Sequence, residues 1–137
     1  METNNKILIV DDMPKNIQMA MNILKNEGYK MFYAKSGEMA LKLVSEHNFD
    51  LILLDIMMPD INGFEVCKRL KNDEKTKRIP LIFLSGKDSS SDIEQAYECG
   101  GIDYVVKPFI TIELITKVSS YVRLKQLEDK FQISKES

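Results

Sequence analysis

Lys6-Ile7-Leu8-Ile9-Val10-Asp11-Asp12 sets an unbroken apolar run directly against two acids, and Asp50-Leu51-Ile52-Leu53-Leu54-Asp55 does the same further along. A strand with one wet face alternates apolar and polar residues, because successive side chains point to opposite faces. These two runs are apolar at nearly every position, so each reads as a strand covered on both faces, within a parallel sheet between helical layers. Working outward, three more runs rich in Ile, Leu, Val and Phe or Tyr follow the same length rule: Tyr29–Ala34, Pro80–Leu84 and Asp103–Val106.

The intervening segments have helical periodicity. Pro14 can start a helix that places Ile17, Ala20, Met21 and Leu24 on one face and stops before Gly28, a residue suited to the left-handed position after a helix. Ser36 precedes Met39, Ala40, Leu41 and Val44; Phe64, Val66, Cys67 and Leu70 make a third face; Ser91 with Glu94 suggests a capping box for a fourth helix through Ile93, Ala96 and Tyr97 to Gly100. Thr111 is placed to cap a fifth. Strand and helix alternating five times predicts an α/β doubly wound domain with right-handed crossovers. In such a fold the site lies at the carboxyl ends of the strands, so the polar residues that end each strand are the candidates.

Asp11 and Asp12 follow the first strand, Asp55 the third, Ser85 the fourth and Lys107 the fifth. Taken singly, each has a plainer reading: a strand-end Asp or Ser is an ordinary loop or cap residue, and a lone Lys is ordinarily solvated. Together, they are chemically complementary. Two carboxylates about 4 Å apart repel by about 4 kcal/mol at an effective dielectric near 20, so three converging acids need protons or a cation. An all-oxygen donor set without clustered His or Cys suits Mg²⁺. A carboxylate held between such an ion and the Lys107 ammonium is a suitable phosphoryl acceptor, and Asp55 stands at that place.

Four stretches, in order, resemble the motifs of the receiver domains of two-component response regulators. They are Ile7 to Asp12, Leu53-Leu54-Asp55-Ile56-Met57-Met58-Pro59-Asp60-Ile61-Asn62-Gly63, Leu84-Ser85-Gly86 and Asp103-Tyr104-Val105-Val106-Lys107-Pro108-Phe109. The likeness extends over residues 5 to 122 and implies a five-stranded sheet of flavodoxin-like order 2-1-3-4-5, which the residue pattern alone does not supply. It implies that Asp55 is phosphorylated and that Asp12, Asp55 and the Met57 carbonyl hold Mg²⁺, with Asp11 acting through a metal-bound water. It also implies that Ser85, Lys107 and the Met57 and Gly86 N–H groups contact the phosphoryl group, that Pro108 follows a cis peptide, and that Tyr104 with Ser85 forms the switch.

The implied partners are a histidine kinase or phosphotransfer protein as donor, and an output domain or partner protein at the surface formed by the fourth helix, fifth strand and fifth helix. Such a domain is a signalling phosphoacceptor rather than an enzyme, catalysing only its own phosphoryl transfer and slow dephosphorylation. Two other classes share features of the fold. A flavin-binding electron carrier would need free N–H groups and hydroxyls after the first strand, where Asp11-Asp12-Met13-Pro14 would instead repel a cofactor phosphate. A phosphatase with an Asp nucleophile ordinarily has a second acid two positions on, where this chain has Met57.

Composition agrees with this picture. At 137 residues, 44% hydrophobic and 29% charged, the chain has the balance of one soluble domain. Nineteen basic against twenty-one acidic residues leave no global field for nucleic acid or an anionic membrane. No run approaches the roughly 20 apolar residues of a membrane span, and Met1 to Val10 lacks the features of a secretory signal. Cys67 and Cys99, without Cys-x-x-Cys spacing, read as reduced thiols of a cytoplasmic protein. His47 reads as an exposed loop residue, and Met19, Met21 and Met39 as ordinary helix residues. Residues 1–122 are expected to form the receiver and residues 123–137 a helical extension or linker. There Leu124, Leu127 and Phe131 make a short apolar seam suited to a phosphorylation-linked homodimer, flanked by Lys125, Glu128, Asp129 and Lys130 as surface residues.

Overall fold

The computed structural model describes residues 5–86 and 90–136. Elements alternate throughout: β1 (Lys6–Val10), α1 (Pro14–Leu24), β2 (Lys30–Ala34), α2 (Gly37–Glu46), β3 (Leu51–Asp55), α3 (Gly63–Lys71), β4 (Leu81–Ser85), α4 (Ser90–Glu98), β5 (Asp103–Val106) and α5 (Thr111–Glu136). All five strands are parallel in the order β2-β1-β3-β4-β5, the order that the resemblance implied. Asp55 and Ser85, expected just past their strands, are the last residues within them.

The central strands are apolar on both sides because both sides are covered. Ile7, Ile9, Leu51, Leu53, Ile82 and Leu84 pack under α1 and α5, against Ile17, Ala20, Leu24, Leu114, Val118 and Val122. Leu8, Val10, Ile52, Leu54, Leu81 and Phe83 point the other way, toward Ala40 and Val44 of α2, Phe64, Cys67 and Leu70 of α3, and Ala96 of α4. Burying a large aliphatic side chain is worth about 1.5–3 kcal/mol. The two layers therefore specify register strongly, since a one-residue slip would exchange them.

Helix ends are partly as expected. Pro14 is at the start of α1, Ser36 caps α2 by accepting from the Met39 N–H at 3.1 Å, and Gly28 has the left-handed φ of 85° but stands beyond the helix end, which Lys25 caps. Asn62 caps α3, its side-chain oxygen accepting from the Glu65 N–H at 3.0 Å. Two caps differ. α4 starts at Ser90, which places Ser91 inside the first turn rather than at the cap. α5 starts with Thr111 as a helical residue, and the Leu114 N–H donates to the carbonyl of Ile110, so Ile110 holds the cap position. A cap depends on the backbone torsions of one residue, and a Ser or Thr one position inside a helix has the same sequence context.

His47 is also not an exposed loop residue. It closes α2, its N–H donating to Leu43 O at 2.9 Å, and its ring centroid is 4.6 Å from that of Phe32. Cys67 is buried and unbridged, with its Sγ 3.2 Å from the carbonyl of Cys99.

α5 begins at the carboxyl edge of the sheet and runs past the opposite edge to Glu136. The side of its last turns that faces the domain is polar, which reverses the expectation for Lys125 and Asp129. Lys125 and Asp129 pair at 2.6 Å, Asp129 meets Arg78 at 3.4 Å, and Gln126 donates to Asn5 at 3.1 Å. Leu124, Leu127 and Phe131 stay exposed.

Candidate functional site

Strand geometry places the candidates in one cluster. The register aligns Val10 with Leu54, Asp55 with Leu84 and Ser85 with Val106, so the residues that end β1, β3, β4 and β5 lie side by side along one edge. One carboxylate oxygen from each of Asp11, Asp12 and Asp55 lies within 4.8 Å of the others. Lys107 Nζ stands between two of them, 3.2 Å from Asp11 Oδ2 and 3.3 Å from Asp55 Oδ1. The Lys107 N–H donates to Ser85 O at 2.7 Å, and the Lys107–Pro108 peptide is cis.

Asp11 is fully buried and its carboxylate is occupied. Oδ1 accepts from the Met13 N–H at 2.9 Å and lies 3.5 Å from Asn16 Nδ2, while Oδ2 faces Lys107. Asp55 is 5% exposed. Burial, with the Asp11 charge next, pushes its carboxyl up to about 6 although Lys107 opposes the shift. Three acids, two of them buried, against one ammonium leave an excess of negative charge that a hard divalent cation would neutralise. Ser85 is buried at the end of β4, whereas Met57 is 74% exposed at the mouth. Among the described residues beyond its chain neighbours, no atom lies within 4 Å of where a Cβ on Gly86 would stand. Tyr104 lies apart from the acids, half-buried on β5 with its ring 6.3 Å from that of Tyr97.

Three contributors were not assigned from sequence. Asn16 touches Asp11 from the first turn of α1. Asp60 ties the loop after β3 to the start of α2, its two oxygens accepting from the Gly37 N–H at 3.1 Å and the Glu38 N–H at 2.9 Å. Burial raises its carboxyl, but backbone hydrogen bonds from Glu38, Ile61, Gly37 and its own N–H together outweigh burial and hold it below the ordinary range. Gly63 lets the start of α3 approach β3, since a Cβ there would stand 2.3 Å from the carbonyl oxygen of Asp55. A small residue in a loop is a weak signal by itself, and Gly37 is distant from Asp60 in the chain.

A family model for the response regulator receiver domain matches residues 7–119. The chain belongs to this family. The receiver domain is 39% identical over 123 residues to a probable cyclic di-GMP phosphodiesterase of Vibrio cholerae, covering 90% of this chain and 28% of that protein. It is 40% identical over 116 residues to the heme response regulator HssR of Staphylococcus aureus, covering 85% of this chain and 50% of HssR. A crystal structure of a putative response regulator from Chloroflexus aurantiacus aligns with a TM-score of 0.85 at 31% identity, covering 88% of this chain and 99% of that one. The chemotaxis response regulator CheY4 of Vibrio cholerae aligns with a TM-score of 0.81 at 29% identity, covering 87% and 99%.

The receiver domain therefore spans between 28% and 50% of these two curated relatives' lengths, while matching nearly all of the two solved chains. It is a signalling domain of two-component systems, and the comparisons support neither the flavin carrier nor the Asp phosphatase. Receiver domains typically bind Mg²⁺ at an acidic pocket, and the Asp11, Asp12 and Asp55 cluster has the donors for one. No helix among the described residues is long and apolar enough to cross a membrane.

Proposed function

We propose that this receiver domain is a Mg²⁺-dependent phosphoacceptor, taking a phosphoryl group onto Asp55 from a histidine kinase or phosphotransfer protein. The observation that carries the reading is the Lys107 ammonium set between Asp11 and Asp55 amid three converging carboxylates. Asp12, Asp55 and the Met57 carbonyl would hold the metal, with Asp11 contributing through a water. That indirect role suits a carboxylate already engaged with Met13, Asn16 and Lys107. When bound, Mg²⁺ supplies positive charge against the phosphoryl oxygens.

An Asp55 oxygen attacks phosphorus, an O–P bond forms as the donor's N–P bond breaks, and the imidazole leaves with its electron pair and takes a proton. Lys107 neutralises charge on the transferring group, while the Ser85 hydroxyl and the Met57 and Gly86 N–H groups donate to its oxygens. The domain catalyses only its own phosphoryl transfer and slow dephosphorylation, and it acts in the cytoplasm beside its donor. Movement of Ser85 toward the phosphoryl group frees space for the Tyr104 ring and alters the α4–β5–α5 surface presented to an output domain or partner protein. Residues 1–122 form this unit. The α5 extension, with Leu124, Leu127 and Phe131 exposed, leads away from the site and offers a seam for a phosphorylation-linked homodimer.

A small phosphodonor with Mg²⁺ should add one hydroxylamine-labile phosphoryl group to the intact protein, seen by mass spectrometry. Labelling undiminished in EDTA, or mapped by peptide analysis to a residue other than Asp55, would overturn the assignment.

The acyl phosphate should be long-lived for the family. Hydrolysis needs a water in line with the leaving Asp55 oxygen, and the side chain two positions after Asp55 flanks that approach. Met57 cannot orient water strongly and shields the group. The second flanking residue, Lys87, lies outside the described residues. Met57→Asn is expected to speed phosphate loss, followed as acid-labile ³²P; unchanged or slower decay would contradict the role of Met57.

A further inference from the structure

Lys117, on α5, sits over the switch position, its ammonium held by two hydrogen bonds and a further ion pair. Its Nζ is 3.2 Å from Asp103 Oδ1, 2.8 Å from the carbonyl oxygen of Tyr104 and 3.6 Å from Glu113 Oε1. The same ammonium stands 5.3 Å from the centroid of the Tyr104 ring. The ring also meets Tyr97 of α4 edge to face, at an interplanar angle of 83°. Asp103 is fixed in turn, accepting from the Tyr104 N–H at 2.7 Å and from the Tyr121 hydroxyl at 2.9 Å. We propose that Lys117 is a positioning residue that clamps Tyr104 between α4 and α5, and so sets how far the domain is switched before any phosphoryl group arrives.

Some contacts of Lys117 follow the Tyr104 ring and others do not. Bonds from Lys117 to Asp103 and to the Tyr104 carbonyl involve groups held by β5 and persist when the Tyr104 side chain rotates. Only the cation–ring contact, with the Tyr97 contact beside it, is lost when the ring turns inward. Burial alone would favour losing the Lys117 charge, but its hydrogen bonds and ion pairs with Asp103 and Glu113 raise the ammonium above its ordinary range, so the charge persists at neutral pH. An exposed cation–ring contact changes a two-state ratio about two- to five-fold. The effect is reciprocal: whatever biases the ring against turning inward weakens binding at Asp55 by the same factor.

This inference rests on the reading of Tyr104 as a switch, and the experiment tells the two apart. Amide NMR spectra of α4, β5 and α5 residues are recorded during titration with beryllofluoride and Mg²⁺ for the wild type, Lys117→Met, Lys117→Arg, and Lys117→Met combined with Tyr104→Leu. In Lys117→Met the unliganded peaks should move toward the bound positions, and beryllofluoride should bind about two to five times more tightly. Lys117→Arg, which keeps a cation over the ring, should restore wild-type behaviour, and in the Tyr104→Leu background the gain should vanish. If Lys117→Met does not fold, Lys117→Gln carries the same expectations. A responsive wild type with an unaltered Lys117→Met overturns the clamp and leaves the switch standing, as does a gain that survives Tyr104→Leu. A wild type that binds beryllofluoride without any response in these elements removes the switch, and the clamp with it.

Discussion

Asp55→Asn is expected to abolish phosphoryl labelling and, in EDTA at pH 7, to make the protein more stable than wild type. The first effect follows from loss of the nucleophilic carboxylate. The second follows from electrostatics. Burial, then Asp11, raises the Asp55 carboxyl from its ordinary 3.8 to about 6. Between about pH 4 and 6 the folded chain therefore holds a proton that the unfolded chain has released, and stability falls as pH rises through that window. At pH 7 the cost is fully present. That displacement corresponds to roughly 3 kcal/mol, of which Asn should recover about 1–3 kcal/mol because it keeps the shape without the charge. Lys107 retains Asp11 as a partner at 3.2 Å.

Mg²⁺ should stabilise wild type far more than the variant. A ligand at one hundred times its dissociation constant stabilises the folded state by about 2.7 kcal/mol, so wild type should gain on adding Mg²⁺ while Asp55→Asn gains much less. Urea unfolding at pH 4.5 and 7, with EDTA or Mg²⁺, measures all of these differences. A variant less stable than wild type in EDTA at pH 7, with an unchanged Mg²⁺ gain, would remove Asp55 from the charge cluster.

Gly63→Ala should be the more damaging of two glycine substitutions near the site. The added Cβ would stand 2.3 Å from the carbonyl oxygen of Asp55 and 3.1 Å from Ile56 Cα, both backbone atoms. Neither yields cheaply: Asp55 ends a central strand, and the Gly63 N–H bonds the carbonyl of Ile56 at 2.8 Å. Overpacking typically costs about 1–3 kcal/mol, and with backbone as the obstacle the loss should fall near about 3 kcal/mol. Relief must displace α3 or Asp55 itself, so phosphorylation by a small donor should slow by about tenfold or more, because in-line attack tolerates little misplacement. Gly86→Ala is the contrast, since no atom of the described residues beyond its chain neighbours lies within 4 Å of its Cβ position. It should change stability by less than about 1 kcal/mol. Equal stability losses in urea unfolding would show that the approach of α3 to β3 does not depend on Gly63.

The continuous apolar runs of β1 and β3 were legible because burial on both faces leaves its mark on adjacent residues. Strand ends were legible for a related reason. In a parallel doubly wound sheet the carboxyl end of every strand reaches one edge, so Asp11, Asp55, Ser85 and Lys107 meet whatever the details of helix packing. The sequence by itself thus determined the class of fold and the acid and lysine set, both being local or topological properties. Tertiary structure alone decided which group touches which: Lys107 meeting Asp11 and Asp55 from 96 and 52 positions away, Asp60 holding the start of α2, and Gly63 against the Asp55 backbone. It also turned the polar side of the α5 extension toward the domain, where Arg78 and Asn5 receive Asp129 and Gln126. Such pairings depend on how far one element slides and rotates against another. Periodicity within an element says which side is apolar, but the distance between two side chains is set by the packing of every layer between them.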